Sequence, residues 1–193
     1  LEKVVGIVTD AHRRGDRVVV VVSAMSGITD MLLRGARQAE QGDIETAHRA
    51  HKEMLSRHIA VIDHFLAGRP EGEALRQEIA ALLEEFDTLC HSIKVLGELT
   101  PLDVIGGMGV LMNVRQVAAI LAARGLETRA LDATQLIVTD SNYGAASPLM
   151  PQTTRRSEDV LVPLMDAGIV PVVTGFIGAS EEGITTTLGR GGS

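Results

Sequence analysis

A run of five consecutive valines, Val18–Val22, constrains the fold of this 193-residue chain more than any other feature. The run offers no polar face to solvent and β-branched residues favour extended backbone, so it predicts a strand buried on both faces. A loop of small and polar residues, "SAMSGITD" at 23–30, follows it, and a helix is predicted from about Met31 to Gln41. Strand, loop and helix in this order are typical of a parallel α/β sheet.

The same alternation returns in the second half of the chain, so the whole sequence predicts an α/β fold with a mostly parallel sheet covered on both faces. The remaining predicted elements are an opening helix over 1–14, a weak strand at 104–105, a helix over 114–124, strands at 128–131 and 137–139, a helix over 157–167 kinked by Pro163, a strand through "IVPVVTGFIG" and a final strand at 185–188.

Residues 43–96 interrupt the alternation with a long helical region. Apolar residues recur there at three- or four-residue steps, and "GRPEG" at 68–72 breaks the pattern. We therefore predict two antiparallel helices that form a hairpin. His48, His51 and His58 lie in this region, but no carboxylate or cysteine spacing accompanies them. We expect solvated or packing roles for these histidines and predict no metal site.

Composition excludes several classes of function. The net charge is −7 and the aromatic residues are three Phe and one Tyr, so the basic patches and stacking platforms of a nucleic-acid-binding protein are missing. No apolar run approaches the roughly 20 residues that span a bilayer, so we expect no membrane association. Cys90 is the single cysteine, which excludes an intrachain disulfide and indicates a reducing, cytoplasmic setting.

Three loops follow predicted strands and carry small polar residues: 23–30, "TGFIGAS" at 174–180 and "LGRGGS" at 188–193. In a parallel sheet the carboxyl ends of the strands share one edge, so these loops are expected to form one pocket. Glycines allow backbone N–H groups to approach an anion, and Arg190 offers two parallel hydrogen bonds to a carboxylate or phosphate. The sequence therefore predicts a site for an anionic small molecule.

At these residues the chain resembles the aspartate kinases of the amino-acid kinase superfamily. The resemblance is carried by "VVVVVSAMSGITD", "GIVPVVTGFIG" and "TTTLGRGGS", which occur here in the family's order, and by "ETRALDATQLIVTDSNYGAASP" in the middle region. It implies a three-layer α/β/α sandwich whose amino-terminal lobe binds L-aspartate, with residues 43–96 as the family's helical insertion. It also implies a protein that forms homo-oligomers.

The resemblance implies that ATP, with Mg²⁺, phosphorylates the side-chain carboxylate of aspartate to give 4-phospho-L-aspartate on the route to lysine, threonine and methionine. Ser23 and Thr29 would help to hold the substrate, and Phe176 would form part of its wall. Arg190 would pair with a substrate carboxylate and serve catalysis, and Ser193 would donate a hydrogen bond beside it. Gly189, Gly191 and Gly192 are the residues predicted to contact ATP.

Departures from the family pattern shape a second set of expectations. A Lys-x-Gly-Gly motif does not precede Leu1, and the segment that builds the nucleotide site does not follow Ser193. We therefore expect residues 1–193 to be an incomplete amino-acid kinase domain, trimmed at both ends and inactive alone, from a parent that could be fused to homoserine dehydrogenase.

A further departure lies inside the chain. In the family's Gly-Glu-x-x-Ser stretch, the glutamate accepts the ammonium group of aspartate. Here Gly109 matches, but Val110 replaces the glutamate and Asn113 replaces the serine. Valine cannot pair with an ammonium group. Either another carboxylate substitutes, with Glu98 the nearest upstream candidate, or aspartate affinity is weakened.

Two other functions stay open at this point. One is a sister enzyme of the superfamily, such as acetylglutamate kinase, whereas "TTTLGRGGS" after "TGFIG" argues against uridylate kinase. The other is a kinase-like module that binds an amino acid without phosphorylating it, which the Val110 replacement favours.

Overall fold

The computed structural model describes residues 1–96 and 102–189. The chain divides into two compact units, the first formed by Leu1–Ser23 with Asn113–Ser193 and the second by Ala24–Met112. The helices are α1 (Glu2–Arg13), α2 (Ile28–Glu40), α3 (Ile44–Leu66), α4 (Pro70–Leu96), α5 (Leu102–Ala122) and α6 (Met150–Asp166), with a short 3₁₀ helix at Ala133–Gln135. The strands are β1 (Val20–Val22), β2 (Thr128–Leu131), β3 (Val138–Thr139), β4 (Val170–Thr174), β5 (Ile177–Ser180) and β6 (Thr185–Thr187).

The described strands of the first unit form two sheets. In one, β4 lies between β1 and β2 and is parallel to both. In the other, β5 is parallel to β3 and antiparallel to β6. All residues of β4 and β5 are buried, as expected for strands inside a sheet. The predicted α/β class with mostly parallel pairing is therefore confirmed.

The valine run forms a shorter and less buried strand than its composition predicts. Val20 and Val22 are buried, but Val21 between them is 58% exposed. β1 occupies an edge of the described three-stranded sheet, and alternate side chains of a strand point to opposite faces. The prediction of burial on both faces is therefore wrong for this strand.

The strand predicted through "IVPVVTGFIG" is two strands in different sheets. β4 ends at Thr174 and β5 begins at Ile177, with Gly175 and Phe176 between them. β6 then pairs with β5. Its Thr186 is fully buried, and the hydroxyl groups of Thr139 and Thr186 lie 2.7 Å apart, so a hydrogen bond compensates for the burial of this polar side chain. Periodicity cannot reveal such a break, because every residue on both sides of it is buried.

The described part of the second unit is helical. Asp43 caps the amino terminus of α3, since its carboxylate accepts hydrogen bonds from the backbone N–H and hydroxyl of Thr46. These bonds hold the pKa of Asp43 below its usual value. His51 of α3 pairs with Asp87 of α4, whereas Asp63 later in α3 pairs with Arg76 earlier in α4. The two helices are therefore antiparallel, as the hairpin prediction requires, and their role as a kinase-domain insertion stays a prediction.

The helix α5 overturns one element of the sequence analysis. A weak strand was predicted at 104–105, but both residues lie in α5. Residues 105–112 of this helix are apolar or glycine, and all of them except the half-buried Leu111 are buried, so the segment has no polar face and its helical period is hidden. A helix that is apolar all round is typical of a protein core.

By length and composition alone, α5 is also the one helix among the described residues that could cross a membrane. The mean hydropathy of its most apolar 18-residue segment is 1.6, but 78% of that segment is buried inside the protein. Burial of this extent is typical of a core helix.

The helix predicted from Ser157 begins earlier, at Met150, and continues past Pro163 to Asp166. Pro151 lies in its first turn, where the missing backbone N–H of proline has no intrahelical partner to lose. The early start is therefore compatible with a residue that usually ends helices.

Gly35 provides a test of how tightly the helices of the second unit pack, and Gly6 in α1 is its control. An added Cβ at Gly35 in α2 would lie 2.8 Å from Phe86 and 3.3 Å from the Cα of Ala47, whereas at Gly6 in α1 it would meet nothing within 4 Å. Phe86 is fully buried and cannot move aside freely. We expect Gly35→Ala to lower the free energy of unfolding by about 1–2 kcal/mol, because overpacking outweighs the gain in helix propensity.

The matched variant Gly6→Ala is expected to raise the free energy of unfolding by about 0.5–1 kcal/mol. Urea unfolding followed by circular dichroism measures both changes. Equal effects of the two substitutions would contradict the packing described around Gly35.

Candidate functional site

The carboxyl ends of β1 and β4 lie side by side in the first unit. Parallel pairing aligns Val22 with Thr174, and the backbone N–H of Gly175 donates a 2.8 Å hydrogen bond to the carbonyl of Val22. The loop that begins at Ser23 and the loop that begins at Gly175 therefore leave the sheet at the same edge. This is the arrangement that places ligand sites in α/β proteins.

Phe176 joins the third loop to this edge. Its backbone carbonyl accepts a 2.8 Å hydrogen bond from the N–H of Leu188, the last residue before Gly189. The other side of Phe176 is fixed as well, because the N–H of Ile177 donates to the carbonyl of Gly175 at 2.8 Å. Backbone hydrogen bonds through Gly175 and Phe176 thus connect the first residues of all three loops.

Phe176 is also strained. Its φ angle is +68°, and it is the one residue other than glycine with a positive φ among the described residues. This left-handed conformation costs a side chain such as phenylalanine about 1 kcal/mol or more. Strain of this kind persists where the surroundings over-determine the backbone, and it is concentrated at binding and active sites.

Gly189 continues from this junction with a φ angle of +71°, which glycine adopts without strain. The nearest atom to an added Cβ there is the Cα of Ala145, at 3.7 Å. The adjoining backbone is held by a 2.8 Å hydrogen bond from the N–H of Ala146 to the carbonyl of Thr187. The backbone that leads to Gly189 is therefore fixed by a hydrogen bond.

Ser23 is held by a residue that was not among the predicted site residues. The side-chain Nδ2 of Asn113 donates a 2.6 Å hydrogen bond to the carbonyl of Ser23, whose own side chain is exposed. Asn113 is only 8% exposed, and its Oδ1 is buried without a hydrogen-bond partner among the described residues. The sequence signal for this role is a polar side chain within the mostly apolar α5.

Thr174 connects this edge of the sheet to the segment after β2. Its hydroxyl accepts a 2.8 Å hydrogen bond from the backbone N–H of Ala133, and its side chain is almost fully buried. The last residue of β4 is thereby tied to the turn after β2, which fixes the point where the Gly175–Phe176 loop begins.

The other predicted site residues are placed differently or lie outside the description. Thr29 belongs to the second unit, where it is half-buried in the first turn of α2. In that unit, Arg57 donates a 2.8 Å hydrogen bond to the carbonyl of Ser26 and so orders the preceding loop. Arg190, Gly191, Gly192 and Ser193 lie outside the described residues, as does Glu98, so the assignment of site residues remains a prediction.

The histidines of the helical hairpin have structural contacts. Nδ1 of His51 lies 2.7 Å from a carboxylate oxygen of Asp87, and His58 is fully buried. No group of three metal-ligating side chains occurs in residues 1–96 and 102–189. Burial, together with the nearby charge of Asp87, raises the pKa of the Cys90 thiol to about 12, which makes it a poor nucleophile at neutral pH.

The strain at Phe176 predicts an unusual order of stability for two variants. At most positions alanine is more stable than glycine, but at a φ of +68° the order reverses because glycine has no Cβ to clash with the backbone. We expect Phe176→Gly to have a free energy of unfolding about 1 kcal/mol higher than that of Phe176→Ala. Urea denaturation of the two variants tests this; the usual order, alanine above glycine, would contradict the strained backbone.

Comparison with known proteins gives a consistent result. The family model described as the amino acid kinase family matches residues 1–193. The chain is 30% identical over 189 residues to lysine-sensitive aspartokinase 3 of Escherichia coli, which covers 97% of this chain and 39% of that protein. It is 29% identical to the chloroplastic bifunctional aspartokinase/homoserine dehydrogenase 1 of Arabidopsis thaliana, over 92% of this chain and 19% of that protein.

Among solved structures, E. coli aspartokinase III in complex with aspartate and ADP superposes with a TM-score of 0.80 at 26% identity. The match covers 91% of this chain and 37% of that one. This chain therefore spans well under half the length of these relatives. Because the family model covers every residue from 1 to 193, the chain belongs to the amino acid kinase family.

Proposed function

We propose that this chain is the aspartate-binding part of an aspartokinase, which transfers the γ-phosphoryl group of ATP to the side-chain carboxylate of L-aspartate. The observation that carries the proposal is the convergence of Ser23, Phe176 and Gly189 at the carboxyl ends of β1 and β4. Membership of the amino acid kinase family and the aspartokinase names of the relatives support it.

The chemistry of aspartate fits what this edge of the sheet offers. Aspartate carries two carboxylates, and a chain with a net charge of −7 needs a local cation to hold them. Arg190 follows Gly189 directly and provides that cation in our proposal, with two parallel hydrogen bonds to one carboxylate. Ser23 and Ser193 would add hydroxyl donors, and Phe176 would form part of the wall; the proposed role of Thr29 rests on the family resemblance.

In the proposed reaction a side-chain carboxylate oxygen of aspartate attacks the γ-phosphorus of ATP. The new O–P bond forms as the bond to the β-phosphate oxygen breaks, so the products are 4-phospho-L-aspartate and ADP. Such transfers depend mainly on positioning and charge neutralisation. The role of this chain is to fix the carboxylate in line with the phosphoryl group, and Gly189, Gly191 and Gly192 would offer backbone N–H groups to the phosphates.

Magnesium accompanies ATP in reactions of this class. The described residues gather no group of three carboxylate, histidine or cysteine ligands. Because Mg²⁺ is usually held by substrate phosphates with one or two carboxylates, we assign no step to an ion bound by the protein alone. The nucleotide contacts of the whole protein are proposed to come mainly from residues outside 1–193.

The proposal has a cellular context. An aspartokinase supplies the first intermediate towards lysine, threonine and methionine, and we place this protein in the cytoplasm as a homo-oligomer. Because one relative is a bifunctional aspartokinase/homoserine dehydrogenase, we also propose that the parent protein is fused to a dehydrogenase. The full-length sequence tests this.

One observation favours a second function, an amino-acid-binding module without catalysis. Val110, at the position where the family pattern has glutamate, is 1% exposed and apolar. Aspartate binding without ATP-dependent formation of 4-phospho-L-aspartate by the full-length protein would support this second function. Turnover would support the first.

The proposed role of Arg190 can be tested by calorimetry of L-aspartate binding to the full-length protein. Arg190→Ala should weaken binding by about 2 kcal/mol or more, which is roughly thirtyfold in Kd, because a charge-assisted pair is lost. Arg17→Ala is the matched control: Arg17 forms an exposed ion pair with Asp166, and its loss should leave aspartate affinity unchanged. An unaltered affinity in Arg190→Ala would contradict the proposal.

A further inference from the structure

The side chain of Asn113 satisfies one half of its hydrogen-bonding capacity and leaves the other half open. Nδ2 donates to the carbonyl of Ser23, the first residue after β1. Oδ1 is buried with no partner among the described residues. An unpaired buried acceptor is costly, and native proteins keep few of them.

The orientation of this amide follows from its surroundings. Exchanging the two atoms would place Oδ1 against the carbonyl oxygen of Ser23, where two acceptors would face each other at the observed 2.6 Å separation. The amide nitrogen must therefore face Ser23. Oδ1 is the atom left to accept a hydrogen bond from another molecule.

The amide of Asn113 is bonded to Ser23, a residue of the proposed substrate site. Ser23 leaves β1 beside Gly175, whose N–H bonds to the carbonyl of Val22. Asn113 is more than nine-tenths buried, so its position is fixed by packing as well as by the bond to Ser23. The amide that carries the unpaired oxygen is thus bonded to the first residue after β1, and β1 is the strand whose carboxyl end lies beside Gly175.

Elementary chemistry limits what can fill this position. At neutral pH the carboxylates of aspartate are acceptors only, and its ammonium group is its one hydrogen-bond donor. We infer that Oδ1 of Asn113 accepts a hydrogen bond from the ammonium group of the substrate, which makes Asn113 a specificity-determining residue. This inference rests on the proposed function.

The inference also accounts for the sequence at this point of α5. Val110, one helical turn earlier, is buried and has no polar atom in its side chain. Asn113 supplies a neutral acceptor instead of a charged one. Recognition of the ammonium group would then depend on a hydrogen bond to a partial charge, without a salt bridge.

The test compares L-aspartate with succinate, which has the same two carboxylates and no ammonium group. Kd values for both are measured by calorimetry on the full-length protein and its variants. We expect the wild type to prefer aspartate, and Asn113→Leu to reduce that preference roughly tenfold or more. Succinate affinity should change much less, because succinate never used Oδ1.

Asn113→Ala provides a second variant in case the leucine variant does not fold. It removes the amide without adding volume, so the preference for aspartate should fall as it does in Asn113→Leu. Thr153→Val is the control, since it removes another buried side-chain donor of the first unit, bonded to the backbone of Val138 in the other sheet. It should lower stability and leave the preference unchanged.

A purely structural role for Asn113 would shift both affinities together and leave the preference unaltered in both variants, which would overturn the inference while the proposed function stands. If the wild type binds neither diacid, both the proposed function and the inference are overturned.

Discussion

The parallel pairing of β1 with β4 is the interaction on which the candidate site depends. It places Val22 opposite Thr174, and the first hydrogen bond beyond the strands runs from Gly175 to Val22. A shift of register by one residue would exchange the buried and exposed faces of β1 and move Ser23 away from Gly175. The parallel ladder and the Gly175–Val22 hydrogen bond that continues it hold the two loops at one edge.

The site combines this rigid base with a strained corner. The backbone of Phe176 is bonded on both sides, through Gly175 and Leu188, and it retains a left-handed conformation that phenylalanine disfavours. The same short segment ends one sheet and begins the other. The geometry thus connects a feature of folding, the change of sheet, to the place where a ligand is proposed to bind.

Sequence reasoning reached the fold class and the loops that follow β1 and β4 because both depend on local pattern. The valine run, the small-residue loops after strands and the helical periodicity of residues 43–96 are visible without coordinates. It failed at residues 104–105 because residues 105–112 of α5 are all apolar or glycine, and at Gly175–Phe176 because buried strands show no alternation. Exposure of Val21 depends on strand order, which a local pattern does not contain.

The role of Asn113 illustrates a different limit. The sequence shows a polar residue in a mostly apolar helix and a departure from the family pattern. Only the coordinates show that its Nδ2 is used by Ser23 and that Oδ1 has no partner among the described residues. Hydrogen-bond satisfaction is a property of three-dimensional neighbours, so this candidate contact could not be derived from residue types alone.

The central claim is that an amino acid with two carboxylates binds at the carboxyl ends of β1 and β4. A crystal structure of the full-length protein with L-aspartate tests it most directly. Our account predicts aspartate beside Ser23 and Phe176, with its ammonium group at hydrogen-bonding distance, about 2.7–3.2 Å, from Oδ1 of Asn113. Aspartate bound elsewhere, with this edge of the sheet empty, would contradict the account.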